Sequence, residues 1–230
     1  MSWETKTDYC GLADASLLQI KSATMNRTGQ YLEKIGANAS IKATKAYGSA
    51  ASPNCEYAIV GSGTVTGKRL GTVTTVDGKK YALASIHYEN AAGAEPKLTA
   101  TCREIESGAA DSSCSHFDIP DFAISPAEVA EILMEAFTLS GDGCELTKCS
   151  IDIECTVNVH TVNGAIVASD VHSGRARVSA TIGQYGEVEP TVTAATGWDV
   201  SAPLTCSDQD SDLPEWTVTL SKPLSKSSGS

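Results

Sequence analysis

The stretch SIDIECTVNVH, from Ser150 to His160, decides the fold class. Ile151, Ile153, Cys155, Val157 and Val159 alternate with Asp152, Glu154, Thr156, Asn158 and His160. A helix repeats its apolar positions every three to four residues. A period of two is that of a strand with one face in a core and one face wet. What the wet face looks at is the functional question of the sequence.

The same alternation recurs on both sides. In RARVSATIG, Ala176, Val178, Ala180 and Ile182 are expected inside, and Arg175, Arg177, Ser179 and Thr181 outside. GTVTTVDGKKYALASIHY reads as a hairpin turning at Asp77-Gly78, residues that tolerate positive φ. SIKATKAY, CEYAIVGSGTVTG, AEPKLTATCREI, GEVEPTVTAATGW and EWTVTLSKP supply further strands. The exception is SPAEVAEILMEAF. Ser125 is a good N-cap, Pro126 fits the first helical position and Glu128 completes a capping box. Val129, Ile132, Leu133, Ala136 and Phe137 then form one apolar stripe.

The expected architecture is mainly β: a sandwich or barrel of two β halves with one amphipathic helix, at about 125–138, packed on it. Residues 1–35 read as an N-terminal arm, residues 36–222 as a single domain and residues 223–230 as a tail. EPKLTA (Glu95–Ala100) and EPTVTA (Glu189–Ala194) hint that the halves are related.

The chain has 230 residues and a net charge of −11, which repels nucleic-acid phosphates. The charge is uneven. Gly36 to Glu106 holds eight Lys/Arg against six Asp/Glu, and Gly141 to Glu215 three against twelve, so the halves stand near +2 and −9. The opening MSWETKTDYC has neither the basic nor the apolar region of a signal peptide, and no stretch has the apolar length of a membrane span. The expectation is a chain that stays where it is made, or one whose signal has been removed. On that basis the eight cysteines are expected to be mostly reduced, small core residues.

The sequence offers no catalytic constellation. His87, His116, His160 and His172 lack a metal spacing, and Cys155 and His160 lie on opposite faces of one strand, so Cys144, Cys149, Cys155 and His160 cannot converge without a bulge. Asp170, His172 and Ser173 are too close in sequence for a triad. GSGTVTGKR lacks the GK[ST] of a P-loop. No enzyme, metal or cofactor is expected. Two sequons, at Asn26 and Asn38, matter only in a secreted protein.

The segment IDIECTVNVHTVNGAIVASDVHSGRARVSATIG resembles the late hairpin region of phage tail tube (major tail) proteins, in which a long strand, a Gly-containing connection and a second long strand follow one another. The layout of arm, β half, helix and β half is similar too. The likeness covers about thirty residues in text and half the chain in layout. Eight cysteines and the hairpin at GTVTTVDGKKYALASIHY depart from the pattern.

The resemblance implies a structural virion protein made in the host cytoplasm. Its subunits self-associate into hexameric rings and stacked tubes, contact other tail proteins, and pass DNA without binding it. Asp152, Glu154, Thr156 and Asn158 are then the lumen-facing candidates. A bland account stands beside this one, in which Asp152 and Glu154 pair across the hairpin with Arg175 and Arg177, at roughly 0.2–1 kcal/mol each. The competing functional class is a secreted or surface β-sandwich adhesin or ligand-binding module. A capsid-decorating protein is a third.

Overall fold

The computed structural model describes residues 2–35, 41–91, 93–108, 114–123, 137–140, 145–160, 170–194, 196–207 and 214–227. Among them the protein is built from strands, in chain order β1 (Ser2–Thr5), β2 (Leu18–Ile35), β3 (Ile41–Ile59), β4 (Thr64–Val65), β5 (Arg69–Leu70), β6 (Val73–Val76), β7 (Lys79–Ala91), β8 (Lys97–Ile105), β9 (Phe117–Asp118), β10 (Phe122–Ala123), β11 (Phe137–Ser140), β12 (Glu145–His160), β13 (Asp170–Tyr185), β14 (Thr191–Ala194), β15 (Asp199–Ser207) and β16 (Glu215–Leu224).

Ten of them form one antiparallel sheet, ordered β1-β2-β3-β8-β7-β12-β13-β16-β15, with β6 beside the first half of β7. Strands from the first half of the chain therefore stay together, and so do those from the second. The seam between them is β7 against β12, where Ile153 pairs with Ile86 and Ile151 with Tyr88. The weakly basic and strongly acidic halves of the sequence lie on either side of this seam.

The opening stretch lies at this seam. β12 begins five residues before Ser150 was expected to open it, and it pairs with β13 from Glu145↔Tyr185 to His160↔Asp170. Cys149, Ile151 and Ile153 are buried, as are Ala176, Val178, Ala180 and Ile182 opposite them. The period-two reading holds wherever these side chains are described. Burying one isoleucine here is worth roughly 1.5–3 kcal/mol.

The Asp77-Gly78 hairpin is also present. Both residues have positive φ, 49° and 72°, and Val76 pairs with Lys79 around them. Two positive φ values in succession match the right-handed twist of the flanking strands.

Other expectations change. The helix expected at about 125–138 is not seen. Its last two residues, Phe137 and Thr138, are strand, paired with Ala194 and Thr193 of β14, and residues 124–136 lie outside the described residues. A capping box and an apolar stripe are local signals, and at Phe137 and Thr138 cross-strand pairing overrides them.

The first thirty-five residues, read as an arm, supply β1 and β2. β2 runs for 18 residues and pairs along its length with the 19-residue β3. The two Glu-Pro segments each precede a strand, but β8 lies inside the large sheet whereas β14 pairs only with β11, so the similar texts occupy dissimilar places. Of residues 223–230, Pro223 and Leu224 complete β16, pairing with Arg177 and Ala176.

Candidate functional site: a polar row across the sheet

The wet face of β12 is one square of a larger polar surface. Register carries Asp152 sideways to His87 on β7 and Thr99 on β8, and in the other direction to Ser179 on β13, Ser221 on β16 and Asp199 on β15. Six neighbouring strands thus carry one row of small or charged polar residues on the face opposite the Ile151 and Ile153 core, buried at Ser221 on β16. The rows to either side are similar: Glu89, Ser150, Thr181 and Thr219 in one, Ser85, Glu154 and Arg177 in the other. Thr181 and Thr219 join hydroxyls at 2.9 Å.

Two acids on this surface, Asp152 and Glu89, approach the same histidine. Asp152 Oδ1 lies 2.6 Å from His87 Nδ1, and His87 Nε2 lies 4.0 Å from Glu89. The ring and the Asp152 carboxylate are each about half exposed, at 42% and 50%. Glu154 sits opposite Arg177, as the cross-strand account expected, whereas Asp152 meets Ser179 there instead of an arginine and finds the His87 ring on β7. Thr156 and Asn158 continue β12 past an irregularity in pairing between Cys155 and Val157. Their side chains are outside the described residues.

Beside that irregularity Arg175 and Arg177 rim a cleft of about 480 Å³, with Lys226 as a third cation and Phe117, Pro223 and Leu224 among its apolar walls. At the other end of the hairpin, Thr147 donates to Glu215 at 2.5 Å and Lys148 lies 3.8 Å from the same carboxylate.

The cysteines behave differently from one another. Cys55, Cys114, Cys149, Cys155 and Cys206 carry thiols, and Cys144 is outside the described residues. Burial pushes the Cys149 thiol up to about 12 and that of Cys155 to about 11. Cys155 donates to the Ala84 carbonyl at 3.4 Å. Cys10 and Cys102 are joined by a disulfide, a departure from the expectation of reduced cysteines that affects two of the eight.

The sequence reading also missed a convergence. The sulfurs of Cys10, Cys55 and Cys102 all lie within 4.8 Å of one another. The three are separated by tens of residues; Cys55 and Cys102 meet because β3 lies beside β8, and Cys10 reaches them from the loop between β1 and β2. The one available signal was alternation, which puts Cys55 with Tyr57, and Cys102 with Ala100 and Leu98, on inward faces.

Among the described residues no helix is long and apolar enough to cross a membrane. No family model matches the chain, and no curated protein matches it.

Proposed function

We propose that the chain is a structural subunit of the tail-tube kind, which joins copies of itself side by side into rings and stacks them into a tube through which DNA passes without specific binding. The observation that carries this reading is the pair of sheet ends. β1 and β15 each pair on one side only among the described strands, and β15 exposes most of its residues, Val200 at 50% among them. An open strand with exposed apolar residues is a template for another chain unless it is covered.

One end, β15, belongs to the acidic half, and the other, β1 beside β2, comes from residues 1–35, where four Lys/Arg balance four Asp/Glu. An end-to-end contact between copies brings a near-neutral end against an acidic one, which favours a heterologous contact that closes into a ring. The long β12–β13 hairpin, 16 residues in each strand, gives the resemblance to tail tube proteins its structural counterpart. In this reading the sheet continues from copy to copy as a barrel. Asp152, Glu154, Thr156 and Asn158 then line the lumen, where paired acids offer DNA no strong binding sites. The protein is accordingly a virion component with no catalytic role.

A second reading has one specific observation behind it. The Cys10–Cys102 disulfide suits an oxidising compartment, and with it a secreted β module.

Negative-stain microscopy of the purified chain, with light scattering across concentration and salt, tests the proposal. Rings or tubes that assemble more slowly at high salt are expected. A chain that stays monomeric at high concentration in every salt condition removes the tube reading.

A further inference from the structure

The three converging sulfurs form the most enclosed cluster of metal-ligating groups among the described residues. Cys10, Cys55 and Cys102 are 2%, 0% and 0% exposed. Their placement is over-determined. Cys55 belongs to β3 and Cys102 to β8, and Cys55 pairs with Ala100, so Cys102 is its diagonal neighbour on the same face.

Cys10 is brought in by a loop organised around one carboxylate. Asp8 Oδ1 accepts from the amides of Cys10 and Gly11 at 3.0 and 2.9 Å and from the Tyr57 hydroxyl at 2.6 Å, and Asp8 Oδ2 accepts from the amide of Ala13 at 2.9 Å. With four donors on it, Asp8 is held by its own loop. Such contacts orient and support a sulfur ligand.

From this geometry we infer that the reduced triad of Cys10, Cys55 and Cys102 is a three-sulfur binding site for a trivalent thiophilic metalloid of the arsenite class. Three arguments select the ligand. Soft sulfur donors choose soft ions, and once the Cys10–Cys102 disulfide is opened its two sulfurs part to the roughly 4 Å that bonds of about 2.3 Å to one centre require. A structural divalent ion wants four ligands, and among the described residues no fourth His, Cys, Asp or Glu joins this group.

The third argument is charge. Three thiolates around a monovalent ion leave two negative charges in an apolar core, and a divalent ion leaves one. A trivalent centre leaves none, and so avoids the cost of burying net charge. The chemistry balances without free thiolates. A thiol reductant first opens the Cys10–Cys102 disulfide by exchange, and is itself oxidised to its disulfide. Each of the three thiols then replaces one hydroxyl of arsenous acid. Three S–As bonds form, three As–O bonds break, and the three thiol protons leave in three waters. Burial, which holds the Cys55 proton on its sulfur, is therefore no obstacle.

The test uses the full chain, reduced and freed of reductant, with arsenite as the probe. Native mass spectrometry should show one arsenic per chain, a gain of one arsenic less three hydrogens, and the oxidised chain should show none. X-ray absorption at the arsenic edge should count three sulfur neighbours, a readout that requires no variant. Cys55→Ser should weaken binding by at least the roughly 10–100-fold that loss of a mere supporting contact costs, and Cys149→Ser should leave it unchanged. No adduct on the reduced chain overturns the assignment, as does an arsenic with fewer than three sulfurs. So does binding that survives in Cys55→Ser but is lost in Cys149→Ser. If Cys55→Ser does not fold, Cys102→Ala takes its place, with the same two outcomes.

Discussion

His87 Nδ1 and Asp152 Oδ1 meet 2.6 Å apart across the pairing of β7 with β12, the one line along which the first half of the chain touches the second in the sheet order. Both side chains are about half exposed, so water screens the pair. A double-mutant cycle with His87→Ala and Asp152→Ala is expected to give a coupling of about 0.2–1 kcal/mol, smaller in high salt. A coupling above about 2 kcal/mol would show that this face is covered in the assembled protein.

The two faces of β12 should respond to truncation in opposite ways. Ile153 is fully buried between Ile86 and Val178, and Ile153→Ala should cost about 2–5 kcal/mol by lost burial and a cavity. Glu154, one residue later, is exposed, and Glu154→Ala should stay within about 0.5 kcal/mol. Urea melts of both variants check this. Equal losses would mean that the strand has no wet face.

That contrast was legible in the sequence because alternation is a local property of SIDIECTVNVH, and so was the Asp77-Gly78 turn. The rest was not legible because it depends on which strands become neighbours. Nothing near Asp152 in the sequence points to His87, which lies on the partner strand opposite that of the expected arginines. Cys10, Cys55 and Cys102 likewise meet through the pairing of β3 with β8 and the fold of the loop before β2, not through any local pattern. At Phe137 and Thr138 the helix signal was strong, and the pairing with β14 is invisible to any local pattern.

Glu104 is a carboxylate only 4% exposed. Its Oε2 accepts from the Ala51 amide at 2.9 Å, and Arg27 and Lys79 approach to 3.7 and 3.5 Å. Removing it strands a buried amide beside two cations. Glu104→Ala should therefore cost about 1–3 kcal/mol, the range for an unsatisfied buried group. Glu104→Gln keeps an acceptor for the amide and should lose less. The midpoints of urea unfolding for the two variants give the order, and the reverse order would sink the argument.

Gly183 faces the extra residue of β12 at the irregularity between Leu146 and Lys148. A Cβ there would come within 2.7 Å of Glu215 Oε1 and 2.8 Å of Thr147 Oγ1 and Lys148 Cγ. Gly183→Ala should therefore displace the Thr147–Glu215 hydrogen bond and destabilise by about 1–3 kcal/mol, as overpacking does. Thr147→Ala in the same background should recover part of the loss by clearing one of the three contacts. If the double variant is as unstable as the sum of the two single ones, the crowding account fails.

Alkaline pH gives the last test, because the folded chain holds several protons that the unfolded chain releases. Burial raises the Cys149 thiol from 9.0 to about 12 and the Cys155 thiol to about 11, and burial first, then the nearby Glu104 carboxylate, raises the Tyr81 hydroxyl from 10.0 to about 12. Below about pH 9 both states keep these protons and the groups cost nothing. Above it the unfolded state binds fewer protons, so stability falls as pH rises, until the folded groups titrate as well. Cys149 alone should take away about 1.4 kcal/mol per pH unit in that window. Urea midpoints should be flat from pH 7 to about 9 and then decline. Cys149→Ala, although less stable at pH 7 for its lost sulfur, should decline less steeply. Parallel declines in the two proteins would show that Cys149 ionises as readily in the folded chain as in the unfolded one, and that its side of β12 is not the dry side.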